Sequence, residues 1–402
     1  MARLQLFYNF QLVQNDFNGL IPAQAMLAES GRILWMGSLK NQPRTKGKPT
    51  RVNLKNQKIF PSFIECHTHT IFAGSRADEF ELRNAGMTYS EIAKRGGGIL
   101  STVRETRKSP LKNLLKISQD RVNRFLRQGV STLEIKSGYG LDLPSEIKML
   151  EVARKLSGPR IVTTYLGAHA KPVEFKNFDE YLKDIVQNTL PVLKKKKLTN
   201  RVDIFVEKNF FEKSAAQKYL SAFQKQGFDV TIHANQLSQS GGAELAMELK
   251  ARSADHVIHL SPEAISNFGK SKVVTVLLPA ADLYMKCDYP PARKLIDAGA
   301  TVALATDFNP GTSPTQDLML VGLLARLKMG MTLPEVFKAY TINAARALGI
   351  ESEEGSLEVG KSANFICTDA DLNDFFYSAG TMPQHRLFIA GKEIKIKDKL
   401  SR

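Results

Sequence analysis

Cysteine is scarce in this chain: Cys66, Cys287 and Cys367 are its full complement. An odd number, spread far apart, provides neither a disulfide framework nor a paired metal-binding spacing. The three thiols are expected to be free and buried. Long hydrophobic runs are missing as well, since none approaches the roughly 20 residues that span a bilayer. Behind Met1-Ala2-Arg3-Leu4-Gln5 there is no apolar core of the length a signal peptide needs. A soluble, cytoplasmic protein without membrane attachment is expected. No Gly-x-Gly-x-x-Gly turn follows the first strand of the central region, and no Gly-x-Ser-x-Gly occurs. The first absence removes support for a dinucleotide-binding sheet, the second for a serine-nucleophile hydrolase.

Acidic residues are outnumbered. Lysine and arginine total 56 against 40 aspartates and glutamates, a formal charge of +16. Such a surface can attract anionic substrates or bind nucleic acid without specificity. The densest run, Lys194-Lys195-Lys196-Lys197, has no aromatic residues interleaved. It reads as a solvated helix end or loop, and no nucleic-acid partner is expected.

What is present is an ordinary globular composition, 43% hydrophobic and 24% charged. The 402 residues exceed a single α/β barrel of about 250–300 residues by roughly a hundred. The segments Leu6–Val13 and Ala25–Met36, with a turn at Glu29-Ser30-Gly31-Arg32, carry strand-type residues. So do Leu357–Ile366 and His385–Ile394, with turns at Gly360 and Gly391-Lys392. Between these ends, short β-branched apolar runs alternate with helix-like stretches. The runs are Phe63–His69, Ser131–Ser137, Ile161–His169, Val202–Glu207, Val230–Asn235, Ala254–Ile258, Val273–Leu278 and Thr301–Asp307. Helices are expected at Pro144–Leu156, Ala215–Gln226, Gly242–Lys250, Pro290–Ala298 and Leu333–Leu348. The pattern predicts an α/β fold: a (β/α)8 barrel over residues 59–356, with a small β-sandwich domain built from residues 1–58 and 357–402.

Histidine is rare too, with seven in all, so each position is informative. His67 and His69 end the first strand, and residues two apart on a strand face the same side. His169 ends the third strand, His233 lies near the end of the fifth, His256 in the sixth, and Asp307 closes the eighth. Active sites of such barrels gather at the C-terminal ends of the strands. His67, His69, His233 and Asp307 therefore form a candidate ligand set for one divalent ion with room for water. A bound ion would bring the pKa of its water towards about 7. Asp307 is the candidate acceptor for the water proton, and His256 the group to polarise the carbonyl or protonate the leaving nitrogen. His259 and His385 fit no such position and read as structural or surface residues.

These residues resemble the amidohydrolase superfamily, which carries metal ligands on strands one, five and eight and a histidine on strand six. Within it, longer stretches are similar to the imidazolonepropionase family. They are Glu65-Cys66-His67-Thr68-His69-Thr70-Ile71-Phe72-Ala73-Gly74-Ser75-Arg76-Ala77-Asp78-Glu79-Phe80, Gly96-Gly97-Gly98-Ile99, Lys136-Ser137-Gly138-Tyr139-Gly140-Leu141, Leu166-Gly167-Ala168-His169, Ala254-Asp255-His256 and Ala305-Thr306-Asp307-Phe308-Asn309-Pro310-Gly311-Thr312. The likeness runs from about residue 4 to the end. It implies hydrolysis of 4-imidazolone-5-propanoate by water to N-formimidoyl-L-glutamate in histidine degradation, one zinc or iron ion per subunit, and a homodimer. A propanoate needs a fixed cation, and Arg76 supplies a planar fork for it, unless it is spent on Asp78 or Glu79. By the same likeness Tyr139, His169, Gln236, Asn309, Gly311 and Thr312 line the substrate pocket, with Tyr89 as a further candidate. The triplet Gly96-Gly97-Gly98 reads as a flexible turn over the pocket.

The sequence departs from its relatives at two places. Deaminases of the superfamily carry a glutamate three residues after the strand-five histidine. Here Gln236 stands there, and it cannot carry a proton at neutral pH. The resemblance still assigns Gln236 to the catalytic group, and imidazolonepropionases accept either residue. Asn235 stands where the family has an acid. A second metal would need Glu207 at the end of strand four. The alternatives are a deaminase or cyclic amidase acting on another small heterocycle and, more distantly, a non-catalytic binding protein on the same fold. Loss of metal ligands would mark the latter, and all four are present.

Overall fold

The computed structural model describes residues 4–87, 91 and 96–395. The chain opens with β1 (Leu4–Val13), β2 (Leu20–Glu29), β3 (Arg32–Ser38) and β4 (Thr50–Pro61), and closes with β13 (Phe365–Thr368), β14 (Arg386–Ile389) and β15 (Lys392–Glu393). All seven form one sheet in the order β15-β14-β13-β4-β1-β2-β3. Ser30 and Gly31 both take left-handed backbone, φ 50° and 81°, as a two-residue hairpin loop between right-twisted strands requires. The sheet folds back on itself. Ala363 N donates to Gly31 O at 2.8 Å and Ile33 N to Lys361 O at 2.8 Å, joining the β3 edge to the approach to β13. Phe7, Met26, Ile33, Phe365 and Phe388 fill the core so enclosed.

The sequence reading of these ends needs correction at two points. β4 is a 12-residue strand that polar Thr50–Lys58 did not announce. It is irregular at Lys55 and Asn56, φ 53° and 62°, opposite a register shift in β1, so its side chains do not alternate cleanly. In Leu357–Ile366, only the last two residues belong to β13.

Eight parallel strands follow: β5 (Phe63–Glu65), β6 (Val130–Lys136), β7 (Arg160–Ala168), β8 (Arg201–Val206), β9 (Asp229–Ala234), β10 (Ser253–His256), β11 (Val274–Leu277) and β12 (Val302–Leu304). They pair in chain order. Each overlaps one of the apolar runs read from the sequence, but β5 stops at Glu65 and β12 at Leu304, short of His67, His69 and Asp307. The ring closes just beyond the strands themselves. Thr68 and Phe308 form a parallel bridge, His69 N donates to Phe308 O at 2.9 Å, and Asp307 N to His67 O at 3.2 Å. The closing hydrogen bonds thus pass through the candidate ligand segments.

The expected helix Leu333–Leu348 is two helices, Leu333–Ala339 and Ile342–Leu348. The Tyr340 carbonyl leaves the helical ladder to accept from Ile64 N on β5 at 2.8 Å, and the chain turns at Thr341 (φ −121°, ψ −100°). Around this break Phe60, Phe63, Phe337, Tyr340 and Phe375 pack with centroids 5.4–6.4 Å apart, tying the terminal sheet to the barrel. Lys194, Lys195 and Lys196 are an exposed helix end, with Lys197 left-handed after it. Among the described residues no helix is long and apolar enough to cross a membrane.

Candidate metal centre and active site

The strand ends bring His67, His69 and Asp307 together. Asp307 Oδ1 lies 3.4 Å from His67 Nε2 and 3.3 Å from His69 Nε2. Ligands 2.0–2.2 Å from a single ion stand about this far from one another. His233 joins through His67, their ring centroids 4.6 Å apart. The donor atoms of His67, His233 and His256 form a second close group, so His67 is common to both clusters. His67 Nε2 and His233 Nε2 are buried without a hydrogen-bond partner among the described residues. Buried polar atoms left unpaired are costly, about 1–3 kcal/mol each, and a bound cation would relieve this. Burial holds His67 and His69 well below the usual imidazole range, so their lone pairs are free to bind. The donor set therefore fits one divalent ion.

Backbone strain marks the same place. Asn235, His256 and Asp307 take left-handed φ of 51°, 73° and 51° without being glycine. Strain of about 1–3 kcal/mol per residue persists only where surroundings impose it, and it clusters at functional sites.

The sequence reading missed the groups beneath the ligands. His67 Nδ1 and Asp255 Oδ2 are hydrogen-bonded at 2.6 Å, and His233 Nδ1 lies 3.0 Å from Asp203 Oδ2. Burial opposes charge on His233, but Asp203 outweighs it and raises the imidazole above its ordinary value. Glu65, fully buried, accepts from His67 N at 3.2 Å and from Thr306 N at 3.1 Å, so one carboxyl ties the first ligand segment to the last. Burial pushes it up to about 8 despite these donors. Asp203, Glu65 and Glu134 sit inside apolar strands. A charge in a fully buried β run was the signal available to find them.

A cavity of about 510 Å³ opens above the ligands. His69, His233, His256 and Asp307 reach it, with Arg76, Tyr139, His169, Gln236, Asn309 and Thr312 on its walls. Gly311 does not line it. His256 is held down to about 4, chiefly by burial, and so presents a neutral ring. His169 stacks on His69 at 4.9 Å and points Nδ1 at Gly138 O, 3.1 Å away. Arg76 is both a wall residue and an ion-pair partner, with Nε 2.8 Å from Glu79 Oε2. Asn309 is consumed by its own loop: its Oδ1 accepts from Gly311 N and Thr312 N at 2.8 and 2.7 Å, and its Nδ2 donates to the Asp307 carbonyl at 2.7 Å. Gln236 Nε2 contacts Met285 Sδ at 3.4 Å.

Asn235 points away from the ligands, bonding His259 O and accepting from Ala243 N at the head of the next helix. Glu207 accepts from Leu237 N at 2.8 Å and bonds Ser238. It belongs to no ligand group among the described residues. Gly98 precedes the helix Ile99–Lys108 and is held by Glu79, at 2.8 Å. Tyr89 lies outside the described residues. His385 packs in the terminal region against Pro383 O, away from this cluster.

Residues 59–394 match the amidohydrolase family. The chain is 52% identical over 385 residues to the imidazolonepropionase of Bdellovibrio bacteriovorus, covering 95% of this chain and 91% of the relative. It is 41% identical over 388 residues to that of Agrobacterium fabrum, covering 94% and 92%. Among solved structures, an adenosine deaminase from Xanthomonas campestris with bound zinc superposes with a TM-score of 0.74 at 17% identity, over 97% of this chain and 92% of that one. A triazine hydrolase variant does so at 0.71 and 14%, over 97% and 94%. Those two likenesses concern the fold alone. Matched over nearly its whole length to curated relatives, and with the strand-end histidines and aspartate in place, the chain belongs to the amidohydrolase family and, within it, to the imidazolonepropionases.

Proposed function

We propose that the protein opens the ring amide of 4-imidazolone-5-propanoate with water, giving N-formimidoyl-L-glutamate in the breakdown of histidine to glutamate. One observation carries the reading: two buried imidazoles face a single Asp307 oxygen at 3.3 and 3.4 Å, on a cavity that also holds Arg76. His67, His69, His233 and Asp307 would hold one zinc or iron ion. When bound, the ion makes water acidic enough to yield hydroxide near neutral pH and polarises a carbonyl.

The chain's own groups do the rest. Asp307 accepts the proton of the attacking water, and its carboxyl is held below the usual range: burial opposes the charge, but the neighbouring imidazoles outweigh it. His256, neutral in the resting site, donates an N–H to the ring oxygen and shuttles the proton to the departing ring nitrogen. Gln236 orients by hydrogen bonds only, since an amide carries no proton at neutral pH. Arg76 anchors the propanoate, Tyr139 donates to it, and His169 bonds the ring. Thr312, on the cavity wall, meets the ring amide, and Asn309 holds that loop by accepting from Gly311 N and Thr312 N. A cytoplasmic homodimer belongs to the same proposal.

Turnover of imidazolone-propanoate by the purified chain, with metal stoichiometry on the same sample, tests this. Ring opening with about one zinc or iron per chain is expected. Turnover of cytosine, guanine or a hydantoin in its place would move the chain to the deaminase or cyclic-amidase reading. A metal-free, inactive protein that neither zinc nor iron restores would make it a binding protein.

A further inference from the structure

Lys136, the last residue of β6, is 1% exposed, and its ammonium is enclosed by three carboxylates from three strands. Nζ lies 2.9 Å from Glu134 Oε1, 2.9 Å from Asp203 Oδ2 and 3.7 Å from Asp255 Oδ2. Two of these oxygens already have a second task. Asp203 Oδ2 is the atom 3.0 Å from His233 Nδ1, and Asp255 Oδ2 is the atom bonded to His67 Nδ1 at 2.6 Å. One unbroken chain of polar contacts therefore runs His233, Asp203, Lys136, Asp255, His67, beneath the candidate metal and out of reach of the cavity. The Lys136 side chain does not line the cavity, and its amide donates to Thr68 O, between the first two ligands, at 2.9 Å.

We propose that Lys136 is a positioning residue for the metal centre: its single ammonium sets the places of two carboxylates, and each carboxylate sets the orientation of one ligand imidazole. This rests on the metal site proposed above. An ammonium is a compact cation with three donors, suited to bridging separate oxygens. Two carboxylates this deep would repel each other and turn away without it. With both held, each histidine carries its proton on Nδ1 and directs the Nε2 lone pair at the ion. Neutralising three buried acids would be a purely structural task. The proposal differs in making the geometry of the bound ion depend on Lys136.

The test uses the full chain. Zinc affinity is measured by competition with a chromophoric chelator, and cobalt(II) is loaded for its visible spectrum, in the parent, Lys136→Met and Glu134→Gln. Glu134 shares the ammonium but bonds no ligand imidazole; its Oε2 accepts from Thr68 N at 3.2 Å, a contact that the amide oxygen of Gln still makes, so Glu134→Gln is the control. Expected are zinc binding 10–100-fold weaker and a changed cobalt spectrum in Lys136→Met. Glu134→Gln should fall short of the roughly tenfold loss that marks a broken outer-shell contact. Where Lys136→Met does not fold by circular dichroism, Lys136→Met with Glu134→Gln removes the excess acid and reads the same property. Parent-like affinity and cobalt spectrum in the folded lysine variant would overturn the proposal. A parent that takes up neither ion would overturn the metal site itself.

Discussion

A side-chain carbon on Gly311 would lie 2.0 Å from Nη1 of Arg76. No rearrangement of tenths of an ångström could accommodate it. The loop cannot easily retreat, because Asn309 Oδ1 grips the amides of both Gly311 and Thr312. Gly311 is thus the residue whose lack of a side chain lets the guanidinium lie along the cavity wall. Gly311→Ala should displace Arg76 and raise KM by about tenfold or more, roughly 1.4 kcal/mol of binding, with metal content unchanged. Steady-state kinetics beside metal analysis checks this.

Arg76 itself divides its guanidinium. Nε goes to Glu79, and the Nη atoms make no hydrogen bond or ion pair among the described residues. A charge-assisted bond to a carboxylate contributes about 1.5–3 kcal/mol. Arg76→Met should therefore raise KM by roughly 10–150-fold while zinc stoichiometry holds. Binding as tight as in the parent would mean that the propanoate lies elsewhere.

Replacement of His67, His69, His233 or Asp307 by Ala should abolish bound metal and turnover together. Chelation of the parent should do the same reversibly. It should also lower the unfolding midpoint, because an ion bound only by the native state at 1,000 times its Kd adds about 4 kcal/mol. Calorimetry before chelation, after it, and after zinc is returned reads this out.

Glu146 accepts the amides of Gly138, Gly140 and Leu141 at 3.1, 2.7 and 2.8 Å, folding the loop that carries Tyr139. Gly138 O in turn holds His169 Nδ1. Gly138 has φ 110°, and a side-chain carbon there would stand 2.9 Å from that nitrogen. Glu146→Ala leaves buried amides unpaired, at about 1–3 kcal/mol each. Denaturant unfolding should show a loss of at least about 2 kcal/mol, and KM should rise in the fraction that folds, through misplaced Tyr139 and His169. A stable variant with parental KM would remove Glu146 from the support of the pocket.

Much of this protein was legible in its residues. The eight apolar runs and their spacing determined the barrel, because buried parallel strands need continuous apolar faces and crossover helices between them. His67 and His69 lie just past β5, which ends at Glu65, and share a side because the Thr68–Phe308 bridge keeps the backbone extended there. What depended on distant partners was not legible. β4 is polar and irregular, and pairs only because β1 and β13 flank it. The helix break at Tyr340 exists because Ile64, 276 positions earlier, claims its carbonyl. Asp203, Asp255 and Lys136 stand out as charges in buried strands, but pattern reports which way a side chain points and not what it meets. Their meeting beneath the histidines is a product of barrel closure, which sets residues 67 and 119 positions apart into contact within one buried ring of charge. There an unpaired charge is costly, and tertiary structure alone decides which partner satisfies it.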